Sequence, residues 1–128
     1  MSTAILVDTD VMVDYLRGHD QAVIFLKEQA GRIILSSIVV AELYAGVKGD
    51  AEQATLDDVV SLFRVVPVTA DIAKAGGLLK RDFGKSHGVA LADAVIAATA
   101  QVENAELSTL NVKHYPMVPG LKPAYVKK

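Results

Sequence analysis

Ala4-Ile5-Leu6-Val7-Asp8-Thr9-Asp10-Val11-Met12-Val13 sets an acid at the end of a short apolar run. A run of this length bounded by polar residues reads as a buried strand, most naturally a parallel one covered on both faces. Asp8 then stands at the strand's carboxyl end. In open parallel sheets ligands bind just beyond the carboxyl ends of the strands, so Asp8 is a candidate functional residue on position alone.

Working outward, Arg32-Ile33-Ile34-Leu35, Arg64 to Val68 and Leu107 to Leu110 read as further strands, with a short edge strand at Ala124 to Val126. Between them lie helical patterns over Val11 to Leu16, from Asp20 to a stop at Gly31, and over Ile38 to Val47 with Ser36 or Ser37 as cap. Asp50 and Gln53 form a capping box for a helix to about Phe63. Thr69 caps a helix through Ala73, Leu78 and Leu79, in which Gly76-Gly77 either weakens the helix or admits a close neighbour. Gly84 to Gly88 reads as a loop, and Leu91 to Val102 as an Ala-rich helix with almost no polar face, hence a buried one. Strands alternating with helices predict an α/β fold, a mainly parallel sheet between two helical layers.

The chain of 128 residues fits one domain, spanning residues 1–128, and can bury a core without disulfides; it contains no cysteine. No apolar run approaches the roughly 18 to 20 residues that span a bilayer, and the amino terminus lacks secretory features. These features predict a soluble, cytoplasmic protein with no membrane partner. The net charge of −2 argues against holding nucleic acid by overall positive charge. Its distribution says more. Lys113, Lys122, Lys127 and Lys128 stand in an acid-free carboxyl-terminal stretch, and Lys74, Lys80, Arg81 and Lys85 form a second basic group. Each group alone reads as solvated surface; two flanking an acidic site suit a polyanion.

Most acids lie on polar stretches, but Asp8, Glu42 and Asp93 are embedded in apolar ones. A carboxylate withdrawn from water needs a cation, hydrogen-bond donors or a raised pKa. Asp8 could simply cap the following helix and Asp93 could favour a helix dipole. Glu42, in mid-helix, has neither explanation, although an edge position would expose it. If the three converge, their repulsion calls for a divalent cation, and oxygen-only ligands select Mg²⁺ or Mn²⁺ over zinc. Thr109 and Asn111, at the carboxyl end of the fourth strand, can ligate a metal or its waters; alternatively Asn111 makes an Asx turn. His19 and His87 read as surface loop residues, and His114 as a phosphate or substrate contact. Relief of repulsion predicts that Asp8→Asn raises stability in metal-free buffer.

Four segments resemble the PIN domain and, within it, the VapC-type toxin ribonucleases of toxin–antitoxin pairs: Val7-Asp8-Thr9-Asp10-Val11, Ser37 to Gly46, His87 to Ala100, and Thr109 to Tyr115. They occur in the family's order and cover nearly the whole chain. The resemblance implies a three-layer α/β/α PIN-like fold with an acidic pocket at the strands' carboxyl ends. It implies Mg²⁺- or Mn²⁺-dependent cleavage of single-stranded sites in tRNA or rRNA, arresting translation. By position, Asp8, Glu42 and Asp93 match the family's metal-binding acids, and Thr109 and Asn111 would hold the scissile group. Asn111 falls where many members carry a fourth acid, and Asp10, where Asn is frequent, would replace part of that charge. A homodimer is implied, as is a cognate VapB-type antitoxin whose tail sets an Arg beside the acids.

Asp8-Thr9-Asp10 also resembles the nucleophile motif of haloacid-dehalogenase-like phosphatases, but the chain is short and the fourth strand ends on Asn111 rather than on an acidic pair. A phosphoacceptor receiver domain fails on Val66-Pro67-Val68-Thr69, where the third strand ends without an Asp. The remaining alternative is a catalytically weakened PIN-fold binding module, given the neutral Asn111.

Overall fold

Residues Ile5, Leu6 and Val7 are all buried, which is what a strand covered on both faces requires; they form β1 (Ile5–Val7) in the computed structural model, which describes residues 3–127. Lys128, counted in the basic carboxyl-terminal group, lies outside the described residues. The chain continues through α1 (Thr9–Leu16), α2 (Asp20–Glu28), β2 (Ile33–Ser36), α3 (Ser37–Ala45), α4 (Gly49–Val60), β3 (Arg64–Val66), α5 (Ala70–His87), α6 (Leu91–Val102) and β4 (Glu106–Ser108), then a 3-10 turn at Val112–His114. No helix among the described residues is long and apolar enough to cross a membrane.

The sheet order is β3-β2-β1-β4, and every pairing is parallel. From β1 the chain steps outward to β2 and β3, then returns across the sheet to place β4 on β1's other side. Right-handed crossovers put the helices of the outward steps on one face and those of the return on the other. The order reverses between β1 and β4, and such a switch point opens a crevice beyond the strand ends. In register, Val7 pairs with Ser108, so Asp8 and Thr109 leave the sheet side by side.

Side-chain caps set the starts of α1, α3 and α5. Asp8 Oδ1 accepts from the Thr9 amide at 2.8 Å and starts α1 two residues before the apolar pattern begins. Ser36, not Ser37, caps α3 through Ile38 N, while the Ser37 hydroxyl accepts from Val68 N. Thr69 caps α5 as the sequence predicts. The expected Asp50–Gln53 box is replaced by Glu52, which reaches back to Lys48 N. Gly76 is the close approach: a Cβ there would meet Val95 Cγ2 at 2.9 Å and Val95 Cα at 3.0 Å, so α5 and α6 pack with no side chain between them.

Two expectations are overturned. Gly84 to His87 is not a loop but the last turn of α5, closed by Gly88 in the left-handed region (φ 64°). Lys80 Nζ donates to the Val89 carbonyl beyond the cap, tying the connection back onto the helix. Ala124 to Val126 forms no strand. Only the Ala124 amide bonds toward β4, to Thr109 O at 2.9 Å; Pro123 has no amide to donate, and the Tyr125 and Lys127 side chains turn to Asp14 instead.

Candidate active site

Asp8 ends β1 and is buried, Asp93 lies half-buried in the first turn of α6, and Glu42 is exposed on α3. Glu42 is thus not an acid sunk in the core: its edge of α3 faces solvent, and its Oε1 accepts from the Thr9 hydroxyl at 2.8 Å. That bond carries Glu42 to the residue next to Asp8. Asp8 combines both of its readings, since Oδ1 caps α1 while Oδ2 accepts two hydroxyls at 2.8 Å, from Thr109 and from Tyr115. Tyr115 Oη also stands 3.4 Å from Asp93 Oδ1, so one phenol lies between the two carboxylates. Tyr115 is a site residue that spacing alone does not reveal, because a Tyr in a Pro-bounded segment carries no periodic signal.

The acids repel one another. Burial, the Asp8 charge and the Glu42 charge push the Asp93 carboxyl above its ordinary value, opposed by His114 and Tyr115. His114 Nδ1 lies 3.4 Å from Asp93 Oδ2, exposed at the rim, which agrees with its expected position beside the site. Burial and then the neighbouring carboxylates push the Tyr115 phenol far up, which keeps its proton in place as a donor. Among the described residues, no Lys or Arg forms an ion pair with Asp8, Asp10, Glu42 or Asp93.

Asp10, whose charge lies beside Asp8, is held by backbone amides. Its Oδ1 accepts from Val11 N, and its Oδ2 accepts from Leu110 N at 2.9 Å and Asn111 N at 3.1 Å. Asp10 is therefore an anchor for the turn after β4. Burial and the Asp8 charge raise its pKa against those amide bonds. Thr109 is fully buried with its hydroxyl proton given to Asp8, so it positions an acid and is out of reach of a substrate. Asn111 is exposed, and its side chain makes no cap bond to the following turn, which removes the Asx-turn reading.

A buried acid that sequence reading misses is Asp14, on α1's inner face. It accepts from Tyr125 Oη at 2.8 Å and Lys127 Nζ at 2.9 Å. Burial pushes its carboxyl up, but those two bonds and the Lys127 charge leave it below its ordinary value. His19, expected on the surface, is half-buried at the cap of α2 and stacks on Tyr125, with ring centroids 5.9 Å apart. His87 ends α5, exposed, with its ring 5.9 Å from Phe83.

Among the described residues, no group of three His, Cys, Asp or Glu side chains is placed so that it could hold a metal ion. Glu42 is turned to Thr9 and Asp8 to its hydroxyl donors, so the acids form an open set. The donor chemistry is nevertheless of the kind that suits a hard divalent cation: the carboxylates offer only oxygen donors, and among the described residues no Lys or Arg pairs with them.

A cleft of about 610 Å³ between α1, α3 and α4 is lined by Val13, Leu16, Leu43, Val47 and Leu56 and takes in Glu42. A second, of about 450 Å³, lies at the far end of β4 against Ala97, Asn104, Met117 and Leu121 and includes none of these site acids. The basic groups are only partly free. Lys80 is tied to Val89, Arg81 pairs with Asp82 and Lys127 with Asp14, whereas Lys74, Lys85, Lys113 and Lys122 are exposed.

The sequence model of the PIN domain matches residues 5–115. Ribonuclease VapC19 of Mycobacterium tuberculosis is 44% identical over 124 residues, covering 94% of this chain and 98% of that protein. A toxin–antitoxin complex from Klebsiella pneumoniae contains a similar chain, with TM-score 0.83 and 28% identity over 95% of this chain and 98% of that one. VapBC2 from Rickettsia felis, solved bound to a promoter DNA fragment, gives TM-score 0.77 at 28% identity over 92% and 95% of the two chains.

Proposed function

Because the chain belongs to the PIN domain family, we propose that it is a VapC-type toxin: a metal-dependent endoribonuclease that cuts single-stranded sites in tRNA or rRNA. What supports this reading is that Tyr115 Oη stands within 3.4 Å of both Asp8 and Asp93, that Glu42 bonds the residue next to Asp8 and its charge acts on Asp93, and that among the described residues no Lys or Arg pairs with any of the three. Asp8, Asp93 and Glu42 would hold Mg²⁺ or Mn²⁺. When bound, the ion would neutralise phosphate charge and acidify a water.

The protein's own groups supply the rest. Thr109 and Tyr115 fix Asp8 from the β4 side. Glu42, at the exposed rim, orients the incoming water and receives its proton. Exposed Asn111 and His114 contact the scissile phosphate, and Lys113, Lys122, Lys74 and Lys85 draw the RNA backbone toward a pocket that would otherwise repel it.

Relatives solved as toxin–antitoxin complexes support a VapB-type antitoxin as partner. The cleft beside α1, α3 and α4, apolar at Val13, Leu43 and Leu56 and charged at Arg17, Lys48 and Glu52, suits its tail, and because the cleft reaches Glu42, an Arg from that tail would occupy the negative potential of the acids. A homodimer is part of the same proposal; exposed Leu78 and Leu91, on the paired helices α5 and α6, provide apolar surface for it. Sedimentation would measure that state.

The test is cleavage of purified cellular tRNA and rRNA with Mg²⁺ or Mn²⁺, with and without chelator. The enzyme should cut only with metal, fall silent on addition of antitoxin, and leave sequenceable ends that identify its target. A chain that binds antitoxin but cuts nothing in either ion is the weakened binding module.

A further inference from the structure

The turn after β4 places a fully buried phenol where an apolar ring would fill the same space. Tyr115 is 1% exposed, and its backbone is fixed by Tyr115 N to Val112 O at 3.0 Å and Val118 N to Tyr115 O at 3.0 Å. The start of the same turn is anchored on Asp10 through the Leu110 and Asn111 amides. The phenol oxygen is therefore delivered to a set position from a rigid segment. There it meets Asp8 Oδ2 at 2.8 Å and Asp93 Oδ1 at 3.4 Å, carboxylates that come from β1 and α6. Thr109 also donates to Asp8, but its second, longer bond goes to Asp10 and not to Asp93. Of the described residues, Tyr115 is the one whose hydroxyl reaches both acids, its single proton directed to Asp8 at 2.8 Å and shared more weakly with Asp93 at 3.4 Å.

We propose that Tyr115 is a positioning residue for hydrolysis, its hydroxyl fixing Asp8 and Asp93 relative to one another so that together they accept one divalent cation. This rests on the metal-dependent ribonuclease reading given above. Buried beneath the acids, Tyr115 touches neither RNA nor solvent and takes no part in bond making. Its contribution is to hold in place two like charges that would otherwise turn apart.

The test compares full-length wild type with Tyr115→Phe, Asp93→Asn and Tyr125→Phe. Tyr125→Phe is the control, because it removes a phenol donating to a buried carboxylate, Asp14, in a different part of the molecule. Mn²⁺ uptake is followed by loss of the free-ion electron paramagnetic resonance signal, and cleavage by initial rates on cellular tRNA. Hydrogen-bonding partners of metal ligands typically contribute about 10- to 100-fold, so Tyr115→Phe should weaken Mn²⁺ binding by that factor. Its kcat should fall with KM for RNA unchanged, and its far-ultraviolet circular dichroism should match wild type.

Tyr125→Phe should retain both Mn²⁺ affinity and kcat. Wild-type Mn²⁺ affinity and kcat in Tyr115→Phe, or equal losses in Tyr125→Phe, overturn the proposal alone. A wild type that takes up no Mn²⁺ overturns the reading beneath it as well. Should Tyr115→Phe not fold, the tyrosine difference spectrum on adding Mg²⁺ decides: a perturbation in wild type and Tyr125→Phe that is lost in Asp93→Asn supports the proposal, and its absence in wild type overturns it.

Discussion

Two buried carboxylates stand near opposite ends of α1, Asp8 at its cap and Asp14 on its inner face, and each accepts a tyrosine hydroxyl at 2.8 Å. Their remaining neighbours differ in kind. Asp14 has Lys127 Nζ at 2.9 Å, whereas Asp8 has the acids Asp10 and Asp93 and only neutral donors. The carboxyl of Asp14 is held below its ordinary value by its lysine and tyrosine despite burial. That of Asp93, in the Asp8 cluster, is pushed above by burial and by Asp8. A buried acid whose charge is balanced inside the chain is a structural latch, here fastening the carboxyl-terminal segment. A cluster whose charge is unbalanced stores repulsion that an external cation can relieve.

The sharpest break of that comparison is Asp93→Asn, which should lower metal-dependent RNA cleavage at least about 100-fold while the fold persists, as read by initial rates and circular dichroism. Asp14→Asn should do the reverse. It should cost roughly 1–3 kcal/mol in urea unfolding, the usual price of removing a hydrogen-bonded charge, and leave cleavage per folded molecule unchanged. Cleavage lost with Asp14→Asn, or stability lost with Asp93→Asn, would erase the distinction between latch and site.

The pH dependence sharpens it further, because the two shifts have opposite signs. A lowered carboxyl contributes stability above the ordinary value of 3.8 and loses it as pH falls through the folded-state pKa. Asp14→Asn should therefore flatten the loss of stability below about pH 4. A raised carboxyl costs stability as pH climbs above its ordinary value of 3.8, in full once pH exceeds the folded-state pKa, so Asp93→Asn should raise the urea midpoint in metal-free buffer at pH 7, by less than about 1 kcal/mol, and the gain should vanish as pH falls to 3.8. The sequence had pointed to Asp8→Asn for this test. Asp8 is the poorer probe, because its Oδ2 accepts two hydroxyls whose loss would mask the relief of repulsion. The smallest effect is expected from Lys113→Ala, which should weaken RNA binding a few-fold and reduce the salt slope by about 0.7, as for one single-strand phosphate contact.

Asp8 was legible in the sequence because its position follows from strand burial: an apolar run of three residues ending in an acid can do little else in a parallel sheet. Asp93 was legible because a charge interrupts an otherwise apolar helix. Glu42 showed the limit of that logic, since apolar neighbours in a helix say nothing about which edge faces water, and α3's outer edge does. Asp14 escaped notice because its partners lie more than a hundred residues away, on a tail whose prolines looked like irregular surface.

The sequence by itself determined the α/β alternation, the cap at Thr69 and the acids at stake, and narrowed Asp8 and Gly76 to two readings each, because each follows from local periodicity, turn chemistry or the cost of an isolated charge. The tertiary structure alone decided that Tyr115 joins Asp8 to Asp93, that Asp10 anchors the turn after β4 and that Lys127 neutralises Asp14. Those pairings span 22 to 113 residues and arise from strand order and loop trajectory. No pattern within a single segment encodes them.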